Sequence, residues 1–523
     1  MHTILRTLAL AGAGLAAACG GDATVGLSLG FGSGTGGTAG LTLVYGSSSP
    51  GRSGNPAPAR SDLLVLLVRE GEPPRGDLQL ADPDNPASLR TLAPAGSYQQ
   101  ARAVTAGALD PATGVPVGLH ERVALYTRDN RFHRVSLLKS ESAAPVRVSS
   151  EAAADTACNL RVETDYADFA RSAVVYELPG ADGSCTASAD NPVRLVRLGM
   201  GETQAPRQAR RPVAALRDGA GAIVGWLAVD GQTLRRVDAD FNPVATVLSP
   251  VASVSLLGQD VTGRSLALLV DGAIRNFDSG THTLGPSRHR PPGGVAQVAA
   301  DCTQLFYVAA GDATRIYRLP FADSGLPQVW VQDALARVEA ILVAGQRLVY
   351  LRNDGLDRGV RSVPRGGQAI PVPTPLASGA LSNVEVSRSR VFYRRLGADG
   401  VEWAGTVAET GGGAFELAGA RWLGRTRAAA ADPVSCSLPA HALVRAEGMA
   451  GGTLAGARLQ GVEPGSGAAI AALGALPAGV EGFAVDGRGA LGLGLATGGS
   501  ARDWFLLDPA RGSSLARLTT GIR

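Results

Sequence analysis

Short apolar runs recur along the chain at near-constant spacing, each closed by a large side chain. Leu305-Phe306-Tyr307, Leu348-Val349-Tyr350 and Val391-Phe392-Tyr393 set their tyrosines 43 residues apart, and Tyr126, Tyr176 and Trp226 close similar runs 50 apart. Weaker copies centre on Leu268, Val444 and Leu493, and Leu63-Leu64-Val65-Leu66-Leu67-Val68 has the same character. Asp-Gly follows several of these anchors, as at Asp230-Gly231, Asp271-Gly272, Asp354-Gly355 and Asp399-Gly400. That dipeptide supplies the positive φ of a two-residue hairpin, so each anchor strand should fold back on the next segment.

The segments around each anchor alternate as strands do. Val338 to Val343 precedes Tyr350, Gly359 to Val363 follows it, and Ala369-Ile370-Pro371-Val372 offers a further strand. In the neighbouring unit, Arg315 to Leu319 and Pro327 to Val331 play these parts. Four strands per period of about 39–51 residues is the signature of a β-propeller blade. The expected fold is therefore all-β, a propeller of four-stranded blades. Eight blades is the best reading of the anchors, and seven to ten are compatible with them.

Composition fits this pattern: 69 glycines and 31 prolines suit many tight turns and argue against long helices. Charge narrows the partners. With 49 basic and 46 acidic residues spread along the chain, no concentrated basic face is available to neutralise phosphates, so nucleic acid is not an expected partner. Lys139 is the only lysine, which reads as a compositional bias toward arginine before it reads as function.

The N-terminus has its own organisation. Arg6 precedes an uncharged small-and-apolar stretch from Thr7 to Ala18, too short to span a bilayer permanently, which reads as an export signal. Residues 20 to about 60 are rich in Gly, Ser, Thr, Ala and Pro and read as a tether with a mean reach of roughly 35 Å. Within it, Leu41 to Tyr45 alternates like a strand that could dock on the ring. The domain reading is thus signal 1–18, Cys19 and tether 19–60, and propeller 61–523.

Because the signal ends Leu15-Ala16-Ala17-Ala18-Cys19-Gly20, it resembles that of bacterial lipoproteins, in which small residues precede a cysteine that is lipidated and becomes the mature N-terminus. Ala16 stands where leucine is usual in that family. The resemblance implies lipid attachment at Cys19, an acyl anchor of more than one chain, and, with Gly20 rather than aspartate next, sorting to an outer membrane facing periplasm or exterior. An ordinary secretory signal that leaves Cys19 as a passenger is the competing reading. The segments Asp301 to Tyr307 and Val485 to Leu491 loosely resemble the turn-then-strand repeats of bacterial propellers related to the Tol translocation protein, without the serine-proline-aspartate-glycine core of that signature. In general plan, signal plus propeller resembles the lipoprotein that scaffolds outer-membrane protein assembly.

Four further cysteines in an exported chain read first as disulfides. Cys158 and Cys185 flank the Tyr176 strand and are the expected pair, whereas Cys302 and Cys436 either bridge through long loops or remain buried thiols. No Cys-x-x-Cys occurs, so iron–sulfur, zinc-ribbon and c-type haem chemistry find no support, and no cofactor or metal is expected. Gly26 to Gly30 and Gly32 to Gly37 spell a nucleophile elbow and a dinucleotide loop, but in glycine-rich tether rather than a strand–turn–helix. His120, His133, His282, His289 and His441 show no metal-ligand spacing. Arg-x-x-Arg recurs as Arg131/Arg134, Arg194/Arg197, Arg315/Arg318 and Arg358/Arg361; residues three apart on a strand face opposite ways, so these read as solvated or inter-blade arginines rather than one anion site.

The functional expectation is a non-catalytic, lipid-anchored propeller of the cell envelope that binds a protein or envelope polymer. The alternative is an envelope enzyme of propeller type, such as a sugar dehydrogenase, lactonase or polysaccharide lyase, or a carbohydrate-binding protein, offered on fold analogy alone.

Overall fold

The computed structural model describes strands from Leu27 to Ile522, with side chains described for much of 131–218, almost all of 222–422, and short stretches as far as 462. Every strand pairs antiparallel with its neighbour in sequence, giving nine four-stranded sheets and one of five strands. In order they span 27–96 (five strands), 101–147, 158–209, 211–248, 254–289, 295–332, 337–379, 381–418, 420–475 and 480–522. The chain is an all-β array of repeated short antiparallel sheets on a propeller-like plan. Where eight blades are expected from the anchors, the strands fall into ten sheets.

All nine anchors occupy the second strand of a four-stranded sheet: Tyr126, Tyr176, Trp226, Leu268, Tyr307, Tyr350, Tyr393, Val444 and Leu493. The apolar run at 63–68 falls chiefly in Leu64–Arg69 of the first sheet, and the alternation at 41–45 lies in its strand Gly40–Tyr45, paired with Leu64–Arg69. The period exists because each sheet is too small to hide its own faces. Trp226, with Ile223 and Ala228, packs on Val175 and Leu195 of the preceding sheet, while Leu227 and Leu234 meet Leu266 and Phe277 of the following one. Tyr176, Leu268, Tyr307, Tyr350 and Tyr393 likewise lie in clusters shared with the preceding sheet. The core is therefore a series of seams between sheets rather than one central mass. Within the eighth sheet the fit also demands a glycine: a Cβ on Gly405, the cross-strand partner of Tyr393, would lie 2.1 Å from its ring.

Turn chemistry agrees with the sequence in part. Asp271-Gly272 forms the two-residue hairpin, with φ of 49° and 75°. Asp230 instead pairs with Thr233 and leaves Gly231-Gln232 as the loop, while Asp354-Gly355 and Asp399-Gly400 sit in the longer loops 354–357 and 397–401. Ala369 to Val372 is not a strand. Pro371 and Pro373 lack the N–H a ladder needs, so the fourth strand begins at Thr374 and runs to Gly379.

This meander gives every four-stranded sheet two unlike ends. Connections between first and second, and third and fourth, strands lie at one end, here the odd end; second-to-third hairpins and links to the next sheet lie at the other, the even end. First strands of successive sheets run side by side, and Gly40–Tyr45 touches both Ala101–Leu109 of the second sheet and Val480–Val485 of the tenth. Leu515–Ile522 also touches Asn85–Gly96 of the first sheet.

Candidate functional site

Among the described residues, the sixth to eighth sheets carry many polar and charged side chains, and their two ends use them differently. At the odd end they are buried and spent on the seams. Asp301, 2% exposed, accepts from Thr303 N (2.8 Å) and Oγ1 (2.7 Å), Gln304 N (2.9 Å) and Nε2 (3.1 Å), and Arg365 Nη1 (2.8 Å) of the next sheet. Arg365 Nη2 reaches Gln346 Oε1, and the Gln346 amide donates to Glu409 Oε1 of the eighth sheet at 3.3 Å. Burial holds the Glu409 carboxyl above the usual carboxylate range, against the opposing pull of the Gln346 amide and of Arg347 and Arg365. A polar chain thus stitches three sheets together, from groups whose burial would be costly if unpaired.

The Arg-x-x-Arg residues join neighbours in the same way. Arg318 donates Nε to Gln304, lies 4.6 Å over the Trp330 ring, and gives Nη1 to the Gly367 carbonyl of the next sheet at 2.8 Å. Arg197 donates to the Ala239 carbonyl, in the corresponding turn of its next sheet. Arg315 pairs with Asp312 at 2.8 Å, Arg358 with Glu339 at 3.1 Å and Arg361 with Asp333 at 3.8 Å. These five are ion-paired or bonded to a neighbouring sheet, whereas Arg194 donates to the Val193 carbonyl of its own strand.

The even end of the seventh sheet is built outward. Arg352 is held by Asp333 (3.1 Å) and Asp354 (3.0 Å), and Asn353 donates to Glu339 at 2.7 Å. The Asp354 carboxylate accepts from the amides of Leu356 and Asp357, and those bonds, with Arg352, hold it below its ordinary range. On this frame Leu356 stands fully exposed between Asp354 and Asp357, with Leu335 of the preceding link also exposed. Arg337, Arg358 and Asp399 are exposed at the same end. The hairpin thus sets an exposed apolar side chain inside a charged rim. Sequence reading missed it because Leu356 belongs to no run; its only signal is a lone leucine in Asn353-Asp354-Gly355-Leu356-Asp357.

Of the histidines, His289 ends the strand Thr283–His289, and its Nδ1 lies 2.6 Å from the Tyr307 hydroxyl. Burial lowers its pKa. His282 is exposed in the preceding turn at φ 59°, so the two do not share a loop. His133 contacts the Arg131 carbonyl oxygen at 3.2 Å, while the side chains of His120 and His441 lie outside the described residues. So do Cys19, Cys185, Cys302 and Cys436; Cys158 is placed only as the first residue of the strand Cys158–Glu163. Of the two glycine-rich motifs, only the strand Leu27–Ser28 is described.

Tyrosines at the anchors give a pH signature. Burial pushes the Tyr350 phenol up to about 12, and raises Tyr307 and Tyr393 as well, the latter with help from the Glu416 carboxylate that accepts its hydroxyl at 3.0 Å. A phenol harder to ionise folded than unfolded contributes stability that is full below pH ~10 and lost as pH rises through the folded value. Alkaline titration should therefore show part of the tyrosinate absorbance appearing late, together with unfolding at about pH 10–12. Smooth ionisation of every tyrosine near pH 10 with the fold intact would contradict the buried anchors.

No family model matches the sequence, and no curated protein matches it. Among solved structures it is similar to a eukaryotic initiation factor, at 10% identity and a TM-score of 0.46 over 80% of this chain and 97% of that one. A TolB-type protein from Agrobacterium tumefaciens matches at 10% identity and a TM-score of 0.24, over 56% and 85%. An oligogalacturonate lyase in complex with manganese matches at 15% and 0.29, over 49% and 73%. Likeness at this level extends to a loosely shared plan of repeated antiparallel sheets.

Proposed function

We propose that the chain is a lipid-anchored protein of the cell envelope whose ten sheets close into one propeller ring, and whose even end binds another envelope protein without catalysis. Anchoring rests on the resemblance of the segment ending at Cys19 to lipoprotein signals. Closure is supported by the first sheet's neighbours, the second sheet on one side and the tenth on the other. Ten is beyond the usual four to eight blades.

The observation that carries the binding role is the exposed pair Leu335, on the link 333–336, and Leu356, on the hairpin loop 354–357, beside the ion pairs of Arg352 with Asp333 and Asp354. Leucines held rigidly among charges lose little freedom on docking, which favours a partner of complementary charge with a shallow apolar pocket. Affinity capture of the anchored protein from envelope membranes should enrich a partner over an unrelated lipoprotein. Leu335→Asp with Leu356→Asp should abolish that enrichment and leave the fold intact. Equal capture by this variant would exclude the even end as the docking face.

A further inference from the structure

The odd end of the sixth to eighth sheets is the opposite of the even end. Of its described charged groups, Asp301, Arg365, Arg390 and Glu409 are buried, and Arg347 is half-buried and bonded within its own sheet to Ser362 and Thr374. What its turns expose among the described residues is uncharged: Thr303, Ala322, Leu326, Gln346, Gly366, Gly367, and then Ala369, Ile370, Val372 and 410–415, ending in Phe415. Leu326 is 76% exposed, Val372 86% and Ile370 60%, all on third-to-fourth turns of adjacent sheets. On the third to fifth sheets the same end carries exposed Asp168, Arg171, Asp240 and Arg264, so among the described residues the apolar rim belongs to the sixth to eighth sheets.

Topology says what covers it. Gly40–Tyr45, the counterpart of the first strands elsewhere, runs toward the odd end like them, and Leu27–Ser28 pairs antiparallel to it, Leu27 opposite Leu43. The chain leading back to Cys19 therefore departs at the odd end. Eight residue steps separate Cys19 from Leu27, at most about 28 Å fully extended and roughly 16 Å as a coil. Pairing of Leu27–Ser28 thus makes the tether much shorter than a free segment from 19 to 60 would be.

We propose that the odd end faces the bilayer and that Leu326, Ile370, Val372 and Phe415 enter the lipid headgroup layer, leaving the even end turned away toward protein partners. This rests on the anchored reading, because a short acyl tether supplies the high local concentration of lipid that a few apolar side chains need. Asp323 and Arg388, in the same turns of the sequence, lie outside the described residues; the exposed described residues are uncharged, so the contact is expected to depend little on salt.

The test uses the full mature chain, lipidated, in vesicles of phosphatidylethanolamine and phosphatidylglycerol, compared with the Cys19→Ala chain free in solution. Amide exchange should slow at 322–327 and 366–373 on vesicles, equally at low and high salt, and stay unchanged at 354–357. Ile370→Asp with Val372→Asp should remove the slowing without releasing the lipidated protein. Slowing at 354–357, or at neither end, overturns the orientation. Mass spectrometry of the N-terminal peptide reports the anchor separately. If Cys19 carries no lipid, the anchored reading fails, and flotation of the unlipidated chain with the same vesicles decides the face: flotation lost by at least about tenfold in the double variant supports it, and absence of flotation overturns it.

Discussion

Trp226→Ala is expected to destabilise the third and fourth sheets by about 3–5 kcal/mol, the range for removing a large aromatic side chain from a packed interior. Trp226 is completely buried, its ring centroid is 5.1 Å from that of Phe241, and its neighbours include Val175 and Leu195 of the preceding sheet. The cavity opens in a seam, so both walls lose contacts and neither strand ladder can move to fill it without breaking register. Loss should appear in chemical denaturation and as faster amide exchange in 173–197 and 211–248 together. Faster exchange confined to 211–248 would mean that the anchor serves its own sheet and that the seam is not the packing unit.

Asp301→Ala should cost a similar amount, about 3–5 kcal/mol, for an electrostatic reason. It removes the carboxylate paired with the Arg365 guanidinium, 6% exposed, and takes the acceptor from two amides, a hydroxyl and the Gln304 side chain. The informative comparison is the double replacement. Asp301→Leu with Arg365→Met removes both charges and should recover much of the loss, since a buried pair often nearly breaks even with an apolar one of like volume. Single losses below about 1 kcal/mol that merely add would show that water screens the pair.

Anchor positions were legible because they obey a local rule: an apolar run must be buried on both faces, and a four-stranded sheet needs one such run per period. Hence each of the nine anchors falls in a second strand, while the run at 63–68 falls chiefly in the third strand of the five-stranded first sheet. The number of sheets was harder to read, because the first sheet draws on Gly40–Tyr45 from glycine-rich sequence that resembles a tether. Ala369 to Val372 misled for a specific reason: its apolar side chains suggest a strand while its prolines forbid the ladder, and the outcome is an exposed turn. Seam chemistry was invisible because its partners are about a sheet and a half apart in sequence, 64 residues from Asp301 to Arg365 and 63 from Gln346 to Glu409. The contrast between the two ends was hidden for a related reason. Leu356 and Ile370 look alike as isolated apolar residues, and only the parity of the turn that carries each one sends them to opposite sides of the molecule.

Every sheet is assembled from consecutive strands, with none borrowed from the far terminus. Duplication or deletion of one stretch of 40–50 codons would thus insert or remove a whole unit without orphaning a single backbone ladder, changing only the angle at which the survivors meet. Such an architecture lets the number of sheets drift within a lineage while surface hairpins diverge independently, so unit count is expected to be among the least constrained properties of related chains.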